Sequence, residues 1–334
     1  MAIKINRDGI QFKNFSIQNT ADGIYIDGTF TANGQFVDAT QAQGSVSGYT
    51  SGGGVSNPSP PPGTLTVDTI DKFPFVTDTN ATDVGNLSQS RNTVTGQSSQ
   101  ENGYTSGGFD PGRLDTIDKY PFSSDTNATD VGNLTQTRSQ LAGQSSTISG
   151  YASGGFAPPQ TNVIDKFPFA VDTNATDVGD LTQARREVAG QSSTVSGYSS
   201  GGFAPPNVNT IDKFPFSIDI NAIDVGDLSQ ARIALIGQSS SISGYSSGGD
   251  ASGRANTIDK FPFASDNNAG DVGDLTQARQ DLAGQSSTVS GYSSGGDAPG
   301  GVNTIDKFPF AVDTDASDVG NLSQTRNAVA GQQV

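Results

Sequence analysis

Residues 197–202 read Gly-Tyr-Ser-Ser-Gly-Gly, and the pattern Gly-Tyr-x-Ser-Gly-Gly also begins at Gly48, Gly103, Gly150, Gly244 and Gly291. Taken in order, the six starts are 55, 47, 47, 47 and 47 residues apart. An arginine keeps the same beat at Arg91, Arg138, Arg185, Arg232, Arg279 and Arg326, here with 47 throughout. The eight extra residues therefore lie inside the first copy, within 54–69 (GVSNPSPPPGTLTVDT). Self-similarity at this period marks a repeat architecture, in which each unit is one supersecondary element that buries its faces against its neighbours.

The unit itself is read from its apolar pattern. Residues 188–193 (VAGQSS) form a short run of small side chains, and 194–202 (TVSGYSSGG) ends on a glycine pair. In the same copy's earlier half, 162–167 (NVIDKF) alternates apolar and polar up to Pro168, and 175–181 (ATDVGDL) closes before Arg185. Each segment is short and bounded by Gly, Pro, Asn or Asp, which is the grammar of strands and tight turns. None carries an i, i+3, i+4, i+7 stripe long enough for a helix. Four strands every 47 residues predict the blades of a propeller, stacked face to face around an axis. Tyr151 and Ile148 are then expected on opposite faces of a blade, both covered. Phe167 and Phe169 share a parity and are expected to form the packing between blades. Gly150 and Gly154 suit a close backbone approach or a bulge, and Pro168 should end the third strand.

The ring should close at a seam made by the two ends of this segment. Residues 44–49 (GSVSGY) match a second strand with no first strand before it, and 327–332 (NAVAGQ) match a first strand with no second strand after it. Pairing them removes two exposed edges. The expected organisation is all-β: a six-bladed propeller over 42–334, closed by a C-terminal strand within 327–334, with a short N-terminal β-rich appendage over 1–41. In the appendage, 10–15 (IQFKNF) and 23–30 (GIYIDGTF) read as strands, with turns at Asp8-Gly9, Asp22-Gly23 and Asn33-Gly34. Two or three such strands bury too little to stand alone in water. They are expected to act as an anchor that needs a partner surface, in an oligomer or on another protein, with a small β-flap packed on blade one as the plainer alternative. Loop 54–64, rich in proline, is expected to be extended and without a ladder.

Composition narrows the function. The formal net charge is −16, with 18 Lys and Arg against 34 acids, only two of them Glu (Glu101 and Glu187). Such a surface repels phosphate backbones, so nucleic acid is not an expected partner. No basic run suits an anionic membrane, and no apolar stretch is long enough to span one. Residues 1–12 have no apolar run of the kind a secretory signal needs. There is no Cys, hence no disulfide framework or thiol chemistry, and there is no His and no Trp.

Three recurring groups invite a functional reading. Residues 172–180 (DTNATDVGD) supply hard oxygens of the sort calcium takes, but glycine comes eighth and no Glu closes the loop. Asx turns between the third and fourth strands are the plainer reading. The six repeating arginines could ring a carboxylate ligand. One per copy at fixed register is more simply structural, with each guanidinium paired to an Asp or to turn carbonyls. Gln97, Gln144, Gln191, Gln238, Gln285 and Gln332 are expected to line the axial channel, where a ring of amides could hold a small polar ligand or water. A Ser-His-Asp triad is excluded by the lack of His. Paired-carboxylate hydrolysis is not excluded by composition, but nearly every acid recurs in every copy. The one large break in the repeat is the proline-rich insertion, which carries no catalytic chemistry. No catalytic, cofactor-binding or metal-ligating residue is assigned, and the chain is not expected to be an enzyme.

The residues resemble kelch repeats. Arg138, Ala142-Gly143-Gln144, Tyr151-Ala152-Ser153-Gly154-Gly155 and Val163-Ile164-Asp165-Lys166-Phe167 follow the kelch order of arginine, small-residue strand, aromatic with a glycine pair, and apolar strand. The resemblance covers 45–334. It departs where a kelch blade has Trp on its fourth strand and this chain has Val178-Gly179-Asp180-Leu181, which weakens any transfer of kelch partner binding. The wording Ile-Asp-Lys-Phe-Pro-Phe over 164–169, followed by Asp-Thr-Asn-Ala-Thr-Asp-Val-Gly-Asp-Leu over 172–181, is similar to repeat modules in structural proteins of marine tailed phages, cyanophages among them. That resemblance implies a virion protein: a tail fibre, spike, baseplate or capsid decoration. It implies protein–protein contact with other virion proteins through residues 1–41, a homo-oligomer through the same segment, and host attachment through a surface glycan. A carbohydrate-binding propeller, a lectin, is the alternative.

Overall fold

The computed structural model describes residues 43–57, 63–299 and 301–334, together with four short strands nearer the N-terminus. The chain divides into two units, 1–39 and 40–334. In the first, Gln18–Thr20 pairs antiparallel with Gly23–Tyr25, and Thr29–Phe30 with Phe36–Val37. The expected strand over 10–15 lies outside the described residues.

The second unit is a six-bladed β-propeller, and no helix occurs among the described residues. Blade 4 shows the pattern: Ala189–Ser192, Ser196–Ser200, Thr210–Pro215 and Ile223–Asp227 pair antiparallel in chain order. The third strand of each blade ends on its proline, which cannot donate to a ladder. Blade 1 is assembled from both ends of the segment, with Ala330–Gln333 against Ser47–Ser51 and Gln332 opposite Tyr49. The seam expected from strand counting is therefore the one that forms.

The first strands of the six blades touch one another in a closed circle and so define the axis. Backbones approach so closely there that the glycine register has no room for a side chain. A Cβ on Gly190 would stand 2.2 Å from the carbonyl oxygen of Gly143 in the previous blade. Glycine at that register is a requirement of close approach.

Between blades the core is aromatic. The Tyr104 ring of blade 2 meets Phe167 and Phe169 of blade 3 at centroid distances of 5.4 and 4.9 Å. Tyr151 meets Phe214 and Phe216 in the same way at the next interface. Opposite Phe167 on the neighbouring strand stands Gly150, where a Cβ would come within 2.3 Å of the ring. The Gly-Tyr pair thus makes room for one ring while supplying another, and each such contact adds about 0.5–1.5 kcal/mol beyond area burial.

Turns joining first to second and third to fourth strands lie at one end of the propeller, called the upper end here. Gly-Gly loops and the links between blades lie at the lower end. The chain enters at the upper end, where the Gly44 amide donates to Ser286 (2.7 Å) and its carbonyl accepts from Thr288 (3.0 Å). Two expectations are corrected. Ile148 is not covered: it sits at the tip of an upper turn and is 71% exposed. Loop 54–64 is not free of ladder, because Gly54–Asn57 pairs with Gly63–Thr66 as a hairpin.

Candidate ligand-recognition mouth

The repeating arginines form a structural layer. Arg185 reaches into the following blade and meets Asp212 at 3.0 Å, both side chains fully buried. Its terminal N–H groups also donate to the carbonyls of Ser199 (2.8 Å) and Thr210 (3.1 Å), while Nε is buried without a partner. Asp212 accepts from the amide and hydroxyl of Thr182, at 2.9 and 2.7 Å. The same pairing recurs as Arg91–Asp118, Arg138–Asp165, Arg232–Asp259, Arg279–Asp306 and Arg326–Asp71. Burial pulls each guanidinium below its ordinary pKa, against the pull of the facing carboxylate. Extra hydrogen bonds on both partners are what make so dry an ion pair tolerable.

Gln97, Gln144 and Gln238 border the axial cavity as expected, but their side chains are buried and their amides are engaged between blades rather than open to a ligand. Gln144 is buried between blades, where its amide donates to Ser153 Oγ (2.9 Å) and to the carbonyl of Tyr198 in the next blade (3.0 Å). Gln191 and Gln238 do the same one and two blades on. The glutamine register of a first strand is buried, and there the Gln191 amide meets its acceptors on Ser200 and Tyr245. Side chains of 172–180 hold turns and neighbours together. Asp172 pairs with Lys119 at 2.8 Å, Asp177 accepts from the Gly179 amide, and Asn174 accepts from the Asn133 amide. Among the described residues no three His, Cys, Asp or Glu side chains gather to hold a metal.

The lower end of the axis holds a group that the sequence reading passed over. Two link residues follow each repeating arginine: Asn92-Thr93, Ser139-Gln140, Arg186-Glu187, Ile233-Ala234, Gln280-Asp281 and Asn327-Ala328. The second of each pair is left-handed, with φ between 51° and 60°. Its amide donates to the carbonyl of its counterpart in the previous blade at 2.8–3.1 Å, so that six hydrogen bonds close a circle around the axis. That circle offsets the strain of six non-glycine residues at positive φ. Behind it lies an axial cavity of about 120 Å³ walled by the first strands, room for a few waters.

A second circle surrounds the first. The leading link residue of each pair bonds through its backbone to the residue that follows the Gly-Gly pair: Gly54, Phe109, Phe156, Phe203, Asp250 or Asp297. The two circles divide the mouth. Over blades 2–4, Arg113 lies 4.2 Å from the Phe156 centroid and 5.9 Å from that of Phe109, while Arg186 lies 4.9 Å from Phe156 and 5.0 Å from Phe203. Over blades 5 and 6 stand Asp250, Asp281 and Asp297, with Arg254 paired to Asp297 at 2.6 Å. Burial, then Glu187 and Asp297, push the Asp281 carboxyl up to about 7. Burial also raises Glu187, against Arg186 and a 2.7 Å hydrogen bond from Gln140.

The mouth was detectable in the sequence by laying the copies over one another. The residues after the repeating arginine run Asn, Ser, Arg, Ile, Gln, Asn and then Thr, Gln, Glu, Ala, Asp, Ala, whereas Gly-Gln at 190–191 recurs without change. Glu187 and Asp281 are acids at one register that the other four copies fill with Thr, Gln or Ala. No protein-family model matches the chain, and no curated protein matches it.

Proposed function

We propose that this chain is a non-enzymatic virion structural or appendage protein of a tailed phage, a kelch-like propeller that presents its lower mouth to the host surface. One observation carries the recognition part of this reading: the six copies share their strands, aromatic contacts and buried ion pairs, and diverge in chemical character at the lower mouth. Repeats that keep a common framework and vary one cluster of loops have the layout of a binding face on a rigid scaffold. The virion assignment is supported by the wording of residues 164–181 and the kelch-like kind by the order Arg138, Gly143-Gln144, Tyr151, Gly154-Gly155. Residues 1–41 are, in this reading, the anchor to other virion proteins.

A host-surface glycan is the ligand class this reading favours, which joins it to the lectin alternative. Phe109 is the large aromatic left exposed at the mouth, beside Arg113, and a sugar face can rest on such a ring. The test is the presence of the chain in purified virions, together with adsorption assays in which antibody against the lower loops blocks attachment. Virions that lack the chain, or adsorption unchanged by the antibody, would remove the proposal.

A further inference from the structure

Arg113 and Arg186 stand apart in how their cationic groups are engaged. All six described lysines pair with an aspartate of the next blade, as Lys119 does with Asp172. Six arginines are buried against aspartate, and Arg254 holds Asp297. Among the described residues Arg113 has neither ion pair nor hydrogen bond. The Arg186 side chain has a loose ion pair through Nε to Glu187 at 3.7 Å and donates no hydrogen bond. Both lie against the ring of Phe156, and both are flanked by a second phenylalanine.

Stacking changes what such a guanidinium can do. The rings cover its faces and restrict its motion, while the terminal N–H groups are left for an oxyanion. A restrained fork loses less entropy on binding than a free side chain, and charge-assisted bonds to an oxyanion are the strong class. Two forks on one aromatic ladder, in a chain of net charge −16, are two local exceptions to a repelling field.

We propose that the Phe109–Arg113–Phe156–Arg186–Phe203 ladder is the binding site for an oxyanion group, carboxylate or sulfate, carried on a surface glycan. The inference rests on the reading of the lower mouth as the recognition face. The acidic half of the mouth, Asp250, Asp281 and Asp297, sets the orientation by repelling the same group from blades 5 and 6.

Calorimetric titration of the full chain at low ionic strength tests it with three polymers: alginate oligosaccharides for carboxylate, dextran sulfate for sulfate, and neutral dextran. Binding of one or both charged polymers is expected, with the responding arm identifying the oxyanion. Arg113→Gln and Arg186→Gln should each weaken it roughly tenfold or more, one charge-assisted hydrogen bond being lost per variant. Arg113→Lys, which keeps the charge without the fork, should recover it only in part. Lys119→Gln, at the upper end, should leave it unchanged. Unaltered melting of the variants separates lost binding from lost fold. No binding of either charged polymer, or binding that survives Arg113→Gln with Arg186→Gln, overturns the inference. Equal binding of neutral dextran overturns it while leaving a recognition mouth in place. Binding insensitive to the ladder but abolished by Lys119→Gln moves recognition to the upper end and overturns both readings.

Discussion

Arg185 and Arg186 are neighbours in the chain and belong to different regions of the molecule. Arg185 is fully buried, paired with Asp212, and reproduced six times. Arg186 is partly exposed, stacked between Phe156 and Phe203, and occurs in one copy only. A propeller built from near-identical units must solve one packing problem six times, and Arg185 belongs to that solution. What is not repeated is released from the packing problem and is free to serve recognition. The boundary between framework and mouth therefore falls between two consecutive residues.

The framework should fail hardest when its closure is removed. Deleting residues 327–334 takes away the first strand of blade 1, the Ala328 member of the hydrogen-bonded circle, and the backbone bonds of Asn327 to Gly54. Two first strands and one sheet edge are then left without their neighbours. Loss of a single cooperative unfolding transition is expected in calorimetry. A truncated chain that melts like the parent would show that the seam contributes nothing.

Next in size is the contrast between the two arginines. Asp212→Asn strands the Arg185 charge in a dry site and is expected to destabilise the fold by about 3–5 kcal/mol. Arg186→Gln removes stacking at a half-exposed position and should cost no more than about 1–2 kcal/mol. Denaturant titration of the two variants measures both. Equal losses would erase the distinction between framework and mouth.

Much of this framework could be read before any coordinates. The period of 47, the four strands, the seam, the Phe167 and Phe169 contacts and the structural role of the arginines all follow from apolar pattern and register. Three of the glutamines do border the axial cavity, but the pattern cannot say where their amides turn. At 144 the neighbouring Ser153 and Tyr198 decide it. Ile148 went astray because Ser146 closes the turn with hydrogen bonds from the amides of Ile148 and Ser149, which leaves the isoleucine at the tip. The mouth escaped because its signal is a difference between copies, and attention to the repeat selects for what the copies share.

A pH comparison sharpens the same contrast at Asp281. Its carboxyl titrates near 7 in the folded chain, above the ordinary 3.8. A raised folded pKa contributes stability that is whole below about pH 4 and is lost as pH rises through 7. Asp281→Ala, which copies the residue at Ala234 and Ala328, should thus be more stable than the parent at pH 8 by roughly 1–3 kcal/mol, water at the mouth reducing the full linkage. The advantage should vanish at pH 4. A variant that is less stable at pH 8 would place Asp281 in the framework instead.

The smallest effect is expected at the upper end, and it concerns Ile148. Val46, Val195, Ile242 and Val289 hold the same turn position in other blades and are exposed as it is, while blade 2 has Glu101 there. The turn beneath is fixed by Ser146, whose hydroxyl donates to the Ser149 carbonyl at 3.1 Å and accepts from the amides of Ile148 and Ser149. None of these bonds uses the isoleucine side chain. Glu101 is a natural demonstration that a charge can stand at this register on the same strand pair. Ile148→Thr should therefore change the unfolding free energy by no more than about 0.5 kcal/mol, the range of surface substitutions away from packing and caps. An isoleucine covered in the folded protein would instead lose about 1 kcal/mol or more on the same change, from the buried methylene removed and the hydroxyl left without a partner. A loss of that size in chemical denaturation of the full chain would mean that the upper end is covered in solution and that the apolar turn tips belong to a contact surface. A loss near zero would confine the framework to the space between the blades.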